Sequence, residues 1–142
     1  MAVELTESVD VSVPAERLWH AVTDWHRQGE WMLGTTVRIT AGDGRSVGSR
    51  LAARTYGVTD LMVITVWDPP RRCEVSHTGR LVRGVGVFEV RPRGPDAATF
   101  RWQERLELPL GTLGRWGWIL VRPGFRAGLR VSLGRLARSL GH

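Results

Sequence analysis

Residues 3–13 alternate in polarity. Val3, Leu5, Val9, Val11 and Val13 share one phase, and Glu4, Thr6, Ser8, Asp10 and Ser12 hold the other. That period predicts a half-buried strand. Pro14 suits the first turn of a helix, where a missing N–H costs nothing. Leu18, Val22 and Trp25 follow at helical spacing, and Gly29 with the loop-like MLGTT divides 14–31 into two short helices. From 35 to 108 the pattern is strand after strand: TTVRITA, VGSRLAARTYG, LMVITVW, RCEVSHT, GVGVFEVRP and ATFRWQERLEL. The separators AGDGRS, VTD, DPPRR, GRLVR and RGPDA are short and rich in Gly, Pro and Asp, as in an antiparallel meander. From Gly111 the period changes again. Leu129, Leu133, Leu136 and Leu140 recur at three- and four-residue steps with Phe125 one turn ahead, while Arg122, Arg126 and Arg130 share another face. This predicts a long amphipathic helix, kinked or broken near Pro123–Gly124.

The element order is strand, two short helices, six strands and a long helix, in one domain over residues 1–142. A single sheet must cover its apolar face, and only the last helix is long enough to do so. The class is α+β: a curved, seven-stranded antiparallel sheet wrapped around a C-terminal helix, an architecture that encloses space for a ligand.

Composition changes this picture at one place. All 20 basic residues are arginine, and the net charge is +6. Residues 1–107 are neutral, whereas 108–142 hold six arginines and no acid, so the whole excess belongs to the last helix. Such a face is either solvated or set against an anionic surface: membrane lipid, nucleic acid, or an acidic acyl carrier protein. Nucleic acid ranks lowest, because no base-stacking platform accompanies the charge. The longest apolar run, WGWILV, is far short of a membrane span, and MAVELTESVD lacks the order of a signal peptide. One cysteine, Cys73, excludes a disulfide framework. A cytoplasmic setting is therefore expected, with Cys73 a small buried hydrophobe.

The chain resembles the START-like (SRPBCC) superfamily with its helix-grip fold, and within it the polyketide cyclase/dehydrase-like proteins. The matching stretches are VSVPAERLWHAVTD, with Pro14, Leu18, Trp19 and Asp24; Trp31 at the end of the second short helix; WDPPRR at 67–72; and ERLELPLGTLGR at 104–115. The resemblance implies a hydrophobic cavity holding a polyketide-, lipid- or quinone-like molecule. It also implies Trp31 at the cavity's edge, with Trp19 and Trp25 as structural anchors.

The candidate lining is Trp31, Leu51, Phe88, Trp102, Trp116 and Leu120. Two acids break the apolar phase of their strands: Glu7 in step with Leu5 and Val9, and Glu104 in step with Trp102 and Leu106. If the first and last strands pair with Val3 opposite Leu108, Glu7 falls opposite Glu104, about 5 Å apart at Cβ. Such carboxylates would share a proton, orient a polar ligand group, or act as a general acid of raised pKa. The alternative is that an arginine neutralises them. His77 is in phase with Cys73 and Val75 and is the third candidate. No spacing among Glu, His and Cys resembles a metal site, and GVGVFEV lacks the helix and Lys-Ser/Thr of a phosphate loop, so neither metal nor cofactor is expected. Three functions stay open: a carrier or sensor that only binds, an aromatase/cyclase or dehydratase, and a regulator docking an anionic surface through its arginine helix.

Overall fold

A computed structural model of the chain describes residues 2–80, 82–107 and 111–141. The strands are β1 (Ala2–Val11), β2 (Thr35–Ala41), β3 (Arg50–Thr55), β4 (Val58–Asp68), β5 (Arg72–Thr78), β6 (Arg83–Pro92) and β7 (Ala98–Glu107). Helix α1 (Ala15–Val22) and a 3₁₀ segment (Trp25–Glu30) follow β1, and α2 (Gly111–Ser139) closes the chain. All seven strands form one antiparallel sheet in the order β1-β7-β6-β5-β4-β3-β2. The helix-grip arrangement expected from the sequence is present. No described helix is long and apolar enough to cross a membrane.

One face of the sheet is apolar because the strand phases agree across every register. Val9, Phe100 and Val90 lie in one row, and Trp102, Phe88 and Cys73 in the next. Register shifts at Ile39/Ala41 and Ile64/Val66 bend the outer strands, as bulges do. The turn between β3 and β4 falls at Tyr56-Gly57 rather than at Val58–Asp60. Both turn residues have positive φ, 49° and 84°, and Thr55 pairs with Val58. That is the two-residue turn whose twist suits a hairpin, and it draws Asp60 into β4.

The inner face packs on the second half of α2 through Leu129, Leu133, Leu136 and Ala137, all buried. The Leu33 N–H donates to Ser132 Oγ at 2.9 Å and Arg135 donates to the Glu30 carbonyl at 3.1 Å, fixing that half to the chain after the 3₁₀ segment. The helix runs unbroken through Pro123–Gly124, without the break that pair suggests. No described side chain between 114 and 128 is buried, so the first half of α2 is barely packed.

Candidate functional site

Trp19 and Trp25 are the anchors the sequence implies. Trp19 lies 5.2 Å, centroid to centroid, from Trp67, and Trp25 donates from Nε1 to the Gly44 carbonyl at 2.8 Å. Trp31 has a different setting. Its ring meets Phe88, Phe100 and Trp102 at 6.0–6.4 Å, and Phe88 meets Phe100 and Trp102 edge-on at 5.0 and 5.8 Å. These four rings belong to the same apolar cluster as Leu129, Leu133 and Leu136 of α2. Trp31 Nε1 is buried and has no hydrogen-bond partner among the described residues. A buried donor left unpaired costs about 1–3 kcal/mol. Leu51 is fully buried in the same core.

Trp116 and Leu120 do not join this wall. They are 62% and 81% exposed. Leu120 stands nine residues from Leu129, about 180° around an ideal helix, and so points away from the sheet. Trp118 and Phe125, eleven and four residues from Leu129, lie within about 40° of its direction, and their rings touch at 5.7 Å. The same arithmetic on the sequence would have chosen them.

The Glu7–Glu104 pair does not form. β1 and β7 pair with Val3 opposite Leu106, which sets Glu7 against Trp102 and Leu5 against Glu104. A two-residue shift keeps every side chain on its face and removes like charges from opposed positions, where they destabilise a sheet. Leu108, the expected partner of Val3, lies outside the described residues. Each carboxylate has its own cation instead. Glu7 accepts from Arg126 Nε at 2.6 Å and from Arg130 Nε at 3.3 Å. The hydrogen bond from Arg126 holds its carboxyl below the usual range; burial opposes this and the Arg130 charge supports it. Glu7 is thus held towards its ionised form rather than raised, and Arg126 and Arg130, two of the six arginines of α2, serve the fold.

Glu104 belongs to a chain of groups crossing four strands. Asp60 Oδ1 on β4 lies 2.9 Å from His77 Nδ1 on β5, and His77 Nε2 lies 2.8 Å from Glu104 Oε2 on β7. The indole of Trp102 donates to Glu104 Oε1 at 2.9 Å. The His77–Glu104 contact passes over Gly86 on β6, where a Cβ would sit 3.0–3.1 Å from both side chains. The His77 side chain is 4% exposed. An ionised carboxylate only accepts, so each ring nitrogen's contact must contain a proton. Two protons among one imidazole and two carboxylates leave a net charge of −1 wherever they sit. Burial disfavours the charged ring, but hydrogen bonds to Asp60 and Glu104, with their charges, outweigh it and push the His77 pKa up to about 10. Burial, aided by the Glu74 charge, pushes the Cys73 thiol up to about 12, making it inert at neutral pH.

Sequence reasoning found His77, Glu104, Phe88 and Trp102, and the structure brings them together with Trp31 on the inner face. It missed Asp60, which its phase with Met62 would have revealed had the turn been placed at Tyr56-Gly57. Among the described residues no group of three His, Cys, Asp or Glu side chains is arranged for a metal ion. In the Asp60–His77–Glu104 chain both ring nitrogens already face carboxylates. A separate cleft of about 350 Å³ opens between α1, the 3₁₀ segment and the last turns of α2. Arg17, His20, Asp24, Arg27, Trp31 and Leu136 are among its lining.

A family model described as polyketide cyclase / dehydrase and lipid transport matches residues 2–141. No curated protein matches the chain. Among solved structures, a protein of Thermus thermophilus superposes with a TM-score of 0.77 at 18% identity, over 97% of each chain. A START superfamily protein from Mycobacterium smegmatis gives 0.70 at 19% identity, over 95% of this chain and 97% of that one. Norcoclaurine synthase from Thalictrum flavum, in complex with dopamine and hydroxybenzaldehyde, gives 0.68 at 15% identity, over 100% and 90%. At such identities the likeness is one of fold.

Proposed function

The chain belongs to the polyketide cyclase / dehydrase and lipid transport family, and from that premise we propose that it binds a hydrophobic, ring-containing small molecule on the inner face of its sheet. The rings of Trp31, Phe88 and Trp102 take the apolar body. The polar end faces Asp60, His77 and Glu104. One observation carries the reading: a polar chain of net charge −1, from Asp60 to Glu104, lies on the same face of the sheet as the rings of Trp31, Phe88 and Trp102, whereas Glu7 on that face is already answered by Arg126 and Arg130. Burying charge on such a face is costly unless it answers to something. A net negative chain favours a ligand whose polar end is a cation or a hydrogen-bond donor. The synthase named above was solved with an amine, dopamine, which is the same class.

Two naphthalene probes of matched size and opposite charge, naphthylmethylammonium and naphthoate, test this by quenching of tryptophan emission. The cation is expected to bind more tightly, and Glu104→Gln should narrow the difference. Trp102→Ala should weaken both. Equal binding of the two probes, or tighter binding of naphthoate, refutes the reading.

Catalysis, as in a cyclase or dehydratase, is the second reading, and the hydrogen-bonded run from Asp60 to Glu104 favours it. The group moving a proton would then be His77 rather than a glutamate of raised pKa. A pKa near 10 suits a fixed charge better than a general acid working near pH 7, which is why binding is preferred. Turnover of a poly-β-keto thioester that disappears in His77→Gln, with probe binding retained, would reverse that order.

A further inference from the structure

Helix α2 runs along β1 in the same direction. It starts beyond the end of β7, where Glu107 pairs with Ala2, and its last turns border α1, which follows Val11. Arg126 fixes the level, because its Nε donates to Glu7. Arg122 lies one turn earlier, about 6 Å back along the helix. Two residues back along β1, about 7 Å, is Leu5, which pairs with Glu104. Arg122 stands seven residues before Leu129, about 20° from its direction on an ideal helix, whereas Arg126 is about 60° from it. Arg122 therefore leaves α2 on the sheet side, at the level of Glu104, and Trp118 on the same side packs against the core cluster. Arg126 and Arg130 are held by Glu7, but Arg122 is exposed and forms no ion pair among the described residues. Apart from His77, no described cation pairs with Asp60 or Glu104. A chain of net charge −1 and an unpaired guanidinium thus face one gap.

We propose that the ligand of the inner face is an aromatic zwitterion, its cationic group on Asp60, His77 and Glu104 and its acid group on Arg122. Arg122 is then a specificity-determining residue. The inference rests on the binding reading above and adds the second charge to it. Charge selects the class. A simple cation would meet the chain but lie beside a guanidinium of its own sign. A simple anion would meet Arg122 but be repelled by the chain. An α-amino acid headgroup satisfies both, with its ammonium and carboxylate on one carbon. A guanidinium takes the carboxylate through two parallel N–H donors. The ring of such a ligand keeps its place against Trp31, Phe88 and Trp102.

The test compares naphthylmethylammonium with naphthylglycine, the same amine bearing a carboxylate on its α-carbon, by quenching of tryptophan emission near pH 7. Naphthylglycine should bind wild type about tenfold more tightly, the effect of one charge-assisted pair. In Arg122→Gln the order should reverse, because the carboxylate then faces a net negative chain with no cation beside it. Arg122→Lys keeps the charge without the fork and should retain part of the advantage. Arg138→Gln, on the opposite side of α2 nine residues from Leu129, should leave order and ratio unchanged. Arg122 is exposed, so its Gln variant should melt with wild type; if it does not, Arg122→Lys carries the test. Equal binding of the two probes to wild type, with naphthoate weaker than both, overturns this inference and leaves the binding reading in place. An advantage that survives Arg122→Gln, or that Arg138→Gln removes equally, also overturns it. So does a large gain in naphthylmethylammonium affinity in Arg122→Gln without reversal, which would make Arg122 itself the occupant of the chain. If naphthoate binds wild type as tightly as naphthylmethylammonium, the binding reading falls and this inference with it.

Discussion

An added Cβ at Gly86 would lie 3.0 and 3.1 Å from the carboxylate oxygens of Glu104 and 3.1 Å from His77 Nε2. Those side chains are held at their far ends, His77 by Asp60 and Glu104 by Trp102, so neither can give way without losing a bond. Gly86→Ala should therefore break the His77–Glu104 hydrogen bond. A charge-assisted bond contributes about 1.5–3 kcal/mol, and replacing glycine in a strand returns about 0.4–1 kcal/mol, so the variant should be less stable near pH 6 by roughly 1 kcal/mol. The pH dependence has a definite sign. The folded protein keeps the His77 proton up to about pH 10, whereas the unfolded chain releases it near 6.5. The stabilisation is complete below 6.5 and is lost as pH rises towards 10. Wild type should thus melt at progressively lower temperature across that window, and Gly86→Ala should flatten the slope. A charged His77 ring by nitrogen chemical shift at pH 8 checks the same point; a neutral ring there would remove the basis for both expectations.

At the scale of the element, α2 is one helix with two unlike halves. Leu129, Leu133 and Leu136 are core, whereas Leu120 touches solvent on most of its surface. Leu129→Ala should cost about 2–4 kcal/mol and Leu120→Ala less than about 0.5, read from denaturant midpoints. Amide exchange should divide in the same way, fast before residue 128 and slow after it. A large loss from Leu120→Ala would mean that the first half packs on the fold in solution. The strands were legible in sequence because their alternation is a local property: β2 and β5 fall on the predicted stretches residue for residue. The turn at Tyr56-Gly57 was not, because a tyrosine at positive φ is uncommon and strand-like residues continue through it. The pairing of β1 with β7 was legible only in its parity. Alternation fixes which face a residue takes, but registers two residues apart satisfy it equally. What separates them is charge: one places Glu7 against Glu104, and the other gives Glu7 to Arg126 on a helix more than a hundred residues away. No local pattern carries that contact.

For the molecule as a whole, the resemblance read from the sequence reached the fold and the family, and phase reached most of the inner face. Covering the sheet is a global constraint with one solution here, since a single helix is long enough. Where that helix stops packing is decided by side chains along its length, which is why Trp116 and Leu120 were misplaced on the wall. Trp31 has a consequence at this scale that reaches past its own contacts. It belongs to the ring cluster inside the fold and also borders the open cleft beside α1, so one side chain separates the packed interior from that cleft. Trp31→Ala should make them continuous, and acrylamide should then quench a larger share of the tryptophan emission, Trp102 included. Trp19→Ala, which empties space on the Trp67 side, should add less quenching at equal stability loss.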